Sequence, residues 1–362
     1  MLRPSNASRW VKCSASLTIA PKGPESSYGN AAEGSAAHWV ADCILKSDPI
    51  GDIHPNGTVI TPEIIGHTRV YTNEVQRVCA KTGCESNIEH TINIDRVHSE
   101  CSGTPDAWAF DLRTKTIYLW DFKYGWGLVE VVDNWQLICY AIGLVDGICE
   151  EYGLTDRQVK VVMCVIQPRP FHADGHIRKI ALGGEELRGP GNQLNFAAAQ
   201  GLEGTPKTTT GAHCLHCRGR SVCPAARAVS LHAMDVTEYS DSEILSPGDL
   251  ANEYEILKQA KDAIDLRFTG IEALMKARIK KGEVVPGWCI EEGSGVRKWN
   301  KSPAEIIILG QLMGVDFAKP RDVVTPLQAL KMKGSSRGLI KGYVSMVRKS
   351  EKLIKFKSLL HI

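Results

Sequence analysis

The sequence predicts an α/β fold in which a mixed β-sheet is flanked by helices, with a mostly helical region at the C-terminal end. Runs rich in β-branched and aromatic residues, broken by turn residues, lie between Ser86 and Gln167, and such runs are typical of strands. A helix-like stretch from Asp133 to Cys149 divides these runs. Strands that precede and follow a helix favour a mixed sheet with helices packed on its faces.

Capping signals mark the helices around the sheet. A hydroxyl residue followed by proline opens four periodic stretches, at Thr61, Ser246, Ser302 and Thr325. Gly83 and Gly282 end the first two of these stretches. Residues 183–211 are rich in Gly, Pro, Thr and Gln and predict a loose connector with one short helix. Residues 287–299 predict a hairpin that turns at 293–295.

Length and composition limit the class of protein. The 362 residues, 43% of them apolar and 23% charged, are enough for one large or two ordinary globular domains. No apolar run approaches the roughly 20 residues that span a bilayer, and the N-terminus carries no export signal. We therefore expect a soluble cytoplasmic protein without a membrane partner. Twelve cysteines in such a chain predict reduced thiols, some of them metal ligands.

The formal net charge of +2 hides a basic C-terminal end. Between Lys319 and Leu360, eleven lysines and arginines stand against two acidic residues. We predict three regions: a sheet-bearing domain over 1–235, a long helix or linker over 236–284, and a small basic accessory domain over 285–362. The accessory domain is expected to contact the phosphates of a polyanion such as DNA, a protein-docking surface or a solvated helical face being the alternatives. Its candidate contact residues are Lys331, Lys333, Arg337, Lys341, Arg348 and Lys349.

Two acids and a lysine fall at facing positions of a predicted hairpin. Asp106 lies in one strand, and Asp121 and Lys123 end the next. Alternate strand residues face the same side, so we expect Asp121 and Lys123 side by side, with Phe122 facing the core. Two carboxylates in one cleft favour a divalent cation, and Mg²⁺ prefers carboxylates combined with water and phosphate oxygens. The pattern indicates phosphodiester cleavage, in which the metal activates water and Lys123 orients that water or stabilises the developing charge.

Further motifs flank this pair of acids. Residues 33–38, EGSAAH, start a helix with small side chains, and His38 is a third candidate ligand. Gln136 and Tyr140 are spaced i and i+4 and share one helical face. Glu89, on the strand before Asp106, is a candidate auxiliary acid. Each has a plainer alternative: a structural histidine, polar residues at the rim of a buried helix, and a solvated strand acid.

These motifs, in this order, resemble the four motifs of the RecB-like branch of the PD-(D/E)XK nuclease superfamily. The segments EGSAAH, GTPDAW, DFKYG and NWQLICYA are especially similar to a phage and prophage branch of RecB-like nucleases. The resemblance implies a restriction-endonuclease-like fold. The metal ligands it implies are His38, Asp106, Asp121 and the carbonyl of Phe122. It also implies that Lys123 is catalytic and that Gln136 and Tyr140 organise the site and touch DNA.

A cysteine cluster follows these motifs. Cys214, Cys217 and Cys223 have the spacing C-x2-C-x5-C, and Cys13 is the candidate fourth ligand. Local sequence alone favours Zn²⁺ in a Cys₃His site completed by His213 or His216. An iron–sulfur cluster also tolerates such uneven spacing. The pattern of one cysteine before and three after the nuclease motifs resembles AddB-type and CRISPR-associated RecB-like nucleases, which implies a [4Fe-4S] cluster that joins the ends of the domain.

The expected function is that of a Mg²⁺- or Mn²⁺-dependent DNA exonuclease. The resemblance implies a role in phage or prophage recombination, repair or replication in a bacterial host cell, with DNA and a phage recombination or replication protein as partners. A structure-specific or restriction-like endonuclease is the alternative within the same chemistry. A non-catalytic DNA-binding or assembly protein is the alternative from another class. A zinc hydrolase that uses the cysteines is disfavoured because a closed four-ligand site leaves no open position for water.

Overall fold

A computed structural model divides the chain into two compact units, residues 1–273 and 274–362. The structure describes residues 2–19, 30–215, 217–239, 246–291, 296–299, 301, 303–319, 322–332, 336–347 and 352–355. Within these ranges, no helix is both long enough and apolar enough to cross a membrane.

Ten α-helices lie in the described residues. In chain order they are α1 (Ala7–Trp10), α2 (Asn30–Lys46), α3 (Pro62–Thr82), α4 (Trp135–Tyr152), α5 (Arg188–Leu202), α6 (Pro224–Tyr239), α7 (Pro247–Lys280), α8 (Pro303–Leu312), α9 (Pro326–Ala329) and α10 (Arg337–Lys341). The predicted caps of α3 are confirmed, since the Thr61 side chain accepts from the Ile64 N–H and Gly83 adopts the left-handed conformation at the other end.

The strands form one central sheet and several short pairs. They are β1 (Ser86–Ile88), β2 (Ile92–Asn93), β3 (Ser102–Gly103), β4 (Ala107–Asp111), β5 (Thr116–Phe122), β6 (Lys160–Ile166), β7 (Ile177–Gly183), β8 (Trp288–Glu291), β9 (Val296–Trp299), β10 (Ala318–Lys319), β11 (Asp322–Val323), β12 (Val344–Val347) and β13 (Lys352–Lys355). The central sheet has the order β1-β4-β5-β6-β7. The pair β5–β6 is parallel and the other neighbours are antiparallel, which confirms the predicted mixed sheet flanked by helices.

The two faces of the central sheet bury different helices, and the alternation along β5 assigns its side chains to them. Ile117 and Leu119 pack into the core formed with α1, α4 and α5, which we call the α4 side. Trp120 and Phe122 pack into the core formed with α2 and α3, which we call the α2–α3 side. Asp121 therefore faces α4, between two residues that face the opposite helices.

The predicted loose connector is wrong over most of its length. Residues 188–202 form helix α5, whose Leu194, Ala197 and Ala198 are buried in the core on the α4 side. Pro190 falls in the first turn of this helix, where a missing N–H removes no internal hydrogen bond. The many polar and small residues of α5 obscure, in the sequence, the narrow apolar stripe that packs against the core.

The second unit, residues 274–362, contains short helices and strand pairs around its own core of α8, α9 and α10 residues. The predicted hairpin is wrong in its pairing: β8 pairs with β13, and β9 pairs with β12, each antiparallel. Lys331, Arg337 and Lys341 are exposed. Lys333, Arg348, Lys349 and the predicted turn at 293–295 lie outside the described residues. The roles of these basic residues as DNA contacts stay predictions.

Candidate active site and cysteine cavity

The hairpin of β4 and β5 brings the two predicted acids together. Its register pairs Ala107 with Trp120, so Asp106, one residue before β4, lies opposite Asp121. The backbone N–H of Phe122 donates to Asp106 Oδ2 at 2.6 Å. This hydrogen bond fixes the carboxylate at the end of the sheet where β5 and β6, as parallel neighbours, both end. The Phe122 carbonyl as a metal ligand stays a prediction.

A three-residue network holds Asp121 on the α4 side. Lys123 Nζ lies 3.0 Å from Asp121 Oδ1 and donates to Gln136 Oε1 at 3.0 Å. The Gln136 amide in turn donates to Asp121 Oδ1 at 3.0 Å. Asn134 caps α4 by accepting from the N–H of Gln136, so the Gln136 side chain lies at the first turn of the helix. Sequence spacing thus predicted the side-by-side placement of Asp121 and Lys123.

Asp121 Oδ2 takes no part in this hydrogen-bond network. The side chain is only 3% exposed, yet Oδ2 has no hydrogen-bond partner within the described part of the chain. An unpaired carboxylate oxygen in the interior is costly unless a cation or a donor meets it. Burial raises the pKa of the Asp121 carboxyl above its usual value, although the neighbouring Lys123 ammonium lowers it. The position therefore fits a cation that the protein atoms alone do not supply.

His38 and Glu89 approach Asp106 from other elements. His38, on α2, places Nδ1 at 3.2 Å from Asp106 Oδ1. Donor atoms of His38, Glu89 and Asp106 all lie within 4.8 Å of one another. Burial would raise the pKa of Asp106, but His38 and Lys123 lower it below its usual value. Burial followed by the Asp106 carboxylate raises the pKa of Glu89 to about 7.

An imidazole nitrogen and carboxylate oxygens form a donor set that divalent metals use in proteins. The residues present fit such a cation for two reasons. Donor atoms of His38 and Glu89 lie within 4.8 Å of a donor atom of Asp106, and Asp121 has a buried oxygen without a partner among the described residues. His38 and Asp106 are therefore residues that would hold it. Asp121 is not in the group within 4.8 Å, but it lies opposite Asp106 and would offer its unpartnered oxygen. Lys123 and Gln136 would position Asp121 beside it.

Tyr140 supports the loop that carries Asp106. It is 5% exposed, and its hydroxyl donates to the carbonyl oxygen of Thr104 at 3.1 Å. Gly103 permits this approach, because a Cβ at that position would lie 2.9 Å from the Tyr140 ring and closer still to Pro4. Tyr140 therefore contacts the loop that carries Asp106, whereas its role in organising the site and its contact with DNA stay predictions.

Tyr71 is a residue at this site that sequence reasoning missed. It lies on α3, stacks on Phe122 with ring centroids 4.9 Å apart, and is 1% exposed. Its hydroxyl has no partner among the described residues. No motif signals this residue, because a buried tyrosine in an amphipathic helix is ordinary core material until its neighbours are known.

The four predicted cysteines line one cavity, about 440 Å³ and open in part to solvent. Cys13 and Cys223 are buried, Cys214 and Cys217 are half-buried, and all four are free thiols. His213 also lines the cavity and lies 3.3 Å from the Thr209 carbonyl, whereas His216 lies outside the described residues. Ala263 and Leu266 of α7 close one wall.

Hydrogen bonds join the two distant segments that carry the cysteines. The Ala15 N–H donates to the Lys207 carbonyl at 3.1 Å, and the Thr209 hydroxyl donates to the Lys12 carbonyl at 2.6 Å. Burial raises the pKa values of the Cys214 and Cys217 thiols, and the other cysteines of the cavity add to the effect in both. Crowded thiols whose pKa values are raised favour a positively charged group that stabilises thiolates.

Fold and site together define a mixed α/β protein with a histidine, carboxylate and lysine cluster suited to a divalent cation. The chain belongs to a family described as a protein of unknown function, DUF2800, whose model matches residues 1–353.

Two solved structures are similar over part of the chain. The crystal structure of the protein SSO0001 is 16% identical, with 45% of this chain and 70% of that chain covered and a TM-score of 0.25. An alkaline exonuclease, LHK-Exo, from Laribacter hongkongensis is 12% identical, with 54% of this chain and 89% of that chain covered and a TM-score of 0.24. At these TM-scores neither likeness carries an argument.

Proposed function

We propose that the protein is a Mg²⁺- or Mn²⁺-dependent deoxyribonuclease that hydrolyses phosphodiester bonds. The main support is the buried Asp121, whose Oδ1 is held by Lys123 and Gln136 and whose Oδ2 has no partner in the described chain. In a purely structural ion pair the second buried oxygen would have no compensation for its lost hydration, which is costly. A carboxylate with one hydrogen-bonded oxygen and one unpartnered oxygen, next to a second carboxylate, is suited to a metal-dependent hydrolase.

The cation would be held by His38, Asp106 and Asp121, and when bound it supplies Lewis-acid chemistry and a nucleophilic water at neutral pH. Lys123 uses two of its three N–H donors on Asp121 and Gln136. The third donor is left for a phosphate oxygen or the attacking water. Burial lowers the pKa of Lys123, but Asp121 and Asp106 raise it above its usual value, so the residue acts as a fixed positive charge that stabilises the developing negative charge.

Exonuclease action at DNA ends, in phage or prophage recombination, repair or replication, is the finer form of the proposal. Its support is the resemblance of the ordered motifs at His38, Asp106, Asp121–Lys123 and Gln136–Tyr140 to RecB-like nucleases. The same residues serve an endonuclease, which makes closed circular DNA the discriminating substrate. A non-catalytic DNA-binding role is less economical, because it gives no reason to keep a buried acid, a lysine and a histidine together. The exposed Lys331, Arg337 and Lys341 are proposed to add phosphate contacts.

A [4Fe-4S] cluster on Cys13, Cys214, Cys217 and Cys223 is proposed as the structural cofactor, with Zn²⁺ as the alternative. The support is that the four cysteines, which come from two distant segments, line one cavity. Their order along the chain also resembles that of RecB-like nucleases that carry an iron–sulfur cluster.

The test is nuclease activity of anaerobically purified protein on end-labelled linear and closed circular DNA, with Mg²⁺, Mn²⁺ or EDTA. Lys123→Ala is compared with Lys160→Ala, which alters an exposed lysine at the start of β6. We expect metal-dependent loss of linear DNA alone, abolished by Lys123→Ala and unchanged in Lys160→Ala. Cutting of circles would establish the endonuclease, and binding of DNA without cleavage at full metal loading would overturn the enzyme proposal.

A further inference from the structure

A cavity of about 180 Å³ opens beside Asp106 on the α2–α3 side of the sheet. Its polar lining comes from His38, Asp42, Tyr71, Glu89 and Asp106. Three of these, His38, Glu89 and Asp106, bring their donor atoms within 4.8 Å of one another. Asp121, with its contacts to Lys123 and Gln136, does not line this cavity. Glu89 therefore adds a carboxylate to His38 and Asp106, two donors that the proposed cation site already includes.

The backbone holds Glu89 in this position at a conformational cost. Its φ is 50°, in the left-handed region that non-glycine residues seldom adopt. The Glu89 N–H donates to the Asp106 carbonyl at 3.3 Å, so the strained residue is fixed directly beside the acid with which it clusters. Strain of this kind persists where the surrounding structure enforces it, and it is concentrated at ligand-binding sites.

Tyr71 gives independent evidence that the cavity accepts a polar ligand. The residue is 1% exposed, and its hydroxyl has no hydrogen-bond partner in the described chain. Tyr71 lines the same cavity as Glu89 and Asp106, and its hydroxyl is bonded to neither acid. A buried hydroxyl without a partner is rare in proteins and indicates a missing ligand or water.

We infer that Glu89 is a direct ligand of a divalent cation in this cavity, together with His38 and Asp106. The hydration shell of the cation would supply the partner that the Tyr71 hydroxyl lacks. A site with one imidazole and two carboxylates favours Mn²⁺ over Mg²⁺, because Mg²⁺ prefers oxygen ligands alone. The inference deepens the proposed nuclease function and rests on it for the role of the cation, but not for the cation's binding.

The test is Mn²⁺ affinity of the full chain, measured without DNA by the electron paramagnetic resonance signal of free Mn²⁺. Glu89→Gln, which keeps the shape and removes the charge, is compared with Glu85→Gln, an exposed acid four residues earlier. We expect Glu89→Gln to raise the Kd about 10- to 100-fold. Glu85→Gln should leave the Kd unchanged. In the wild type, Mn²⁺ should displace Mg²⁺ at equal concentration.

An unchanged Kd in Glu89→Gln overturns the inference, even if the protein cuts DNA. If circular dichroism shows that Glu89→Gln does not fold, Glu89→Asp takes its place, and its shortened carboxylate should also weaken Mn²⁺ binding. Failure of the proposed function has a different signature. In that case wild-type protein binds Mn²⁺ through Glu89 but cleaves neither linear nor circular DNA.

Discussion

Near the site, the two sides of the central sheet differ in how far their buried polar groups are hydrogen-bonded. On the α4 side, Lys123, Gln136 and Asp121 Oδ1 are joined by contacts of 3.0 Å, and the Tyr140 hydroxyl reaches the Thr104 carbonyl at 3.1 Å. Asp121 Oδ2 is an exception that has no partner in the described chain. Such a network is rigid, because each group is held by at least one other.

On the α2–α3 side, buried hydroxyls lack such partners. Those of Tyr71, Thr72 and Tyr124 have none within the described residues. His38 and Glu89 approach Asp106 there from separate elements, and donor atoms of the three residues lie within 4.8 Å of one another. We interpret the α4 side as the part that positions Asp121 and Lys123, and the α2–α3 side as the part whose cavity would receive the proposed cation and its water. The predictions below test this division of roles.

The largest expected effect is on the α4 side, at Asp121. Asp121→Asn keeps the size of the side chain but removes the charge that would face the proposed cation, and we expect activity to fall about 10³-fold. Asp133→Asn is the matched control, since Asp133 is exposed and its left-handed backbone suits asparagine. Linear DNA degradation and circular dichroism are measured for both. Equal activities in the two variants would remove Asp121 from the site.

The next effect concerns the cysteine cavity, whose N-terminal segment packs on the α4 side. Cys13→Ser removes a ligand of the proposed cluster, which would join residues about 200 positions apart, and loss of this cross-link should lower the free energy of unfolding by about 4 kcal/mol. Hydrogen exchange should rise in α1, α4 and α5, while α2 and α3 keep their protection. Iron content and visible absorbance report the cluster itself.

Cys149→Ser serves as the control, because this half-buried thiol on α4 lies apart from the cavity. If exchange in Cys13→Ser rises equally in all five helices, the two sides of the sheet unfold as one body. If Cys13→Ser is as stable as Cys149→Ser, the cysteines carry no structural cofactor.

The sequence was informative where chemistry depends on near neighbours along the chain. Alternation in β5 predicted that Asp121 and Lys123 share a face, and the i, i+4 spacing placed Gln136 and Tyr140 together. It failed where contacts join distant segments: the contact between Tyr71 and Phe122 was missed, and the strand that pairs with β8 was predicted wrongly. Alternating patterns determine which face a residue occupies, but pairing partners are selected by the packing of the whole unit.

A smaller effect is expected at Gln136, whose side chain is hydrogen-bonded to both Lys123 and Asp121. Gln136→Ala removes both hydrogen bonds while the ion pair remains, so activity should fall about 10- to 100-fold. Mn²⁺ affinity should change less than in Glu89→Gln, because Gln136 touches no residue of the cation cavity. Gln193→Ala, on α5 and exposed, controls for loss of a glutamine. A Mn²⁺ affinity that falls as far as in Glu89→Gln would contradict the separation of positioning from cation binding.

The smallest effect is on the α2–α3 side, where Glu74 is a buried acid with its partners in place. Arg77 donates to both of its oxygens at 2.8 Å, and Lys179 of β7 contacts one of them. Burial would raise the pKa of Glu74, but these hydrogen bonds lower it below its usual value. The ionised form is thus favoured by folding, so this stability is present above pH about 4.5 and is lost as the pH falls through the folded pKa.

Glu74→Gln should therefore lower the free energy of unfolding by about 1 kcal/mol at pH 7, and the difference from wild type should shrink below pH about 4.5. Glu150→Gln, on the exposed face of α4, should show no such difference at either pH. Thermal unfolding across this pH range measures both. If the loss of stability in Glu74→Gln persists unchanged at low pH, the charge of the Glu74 carboxylate does not stabilise the α2–α3 side. The charge on Glu74 would then contribute no more to stability than the unpartnered hydroxyls on that side.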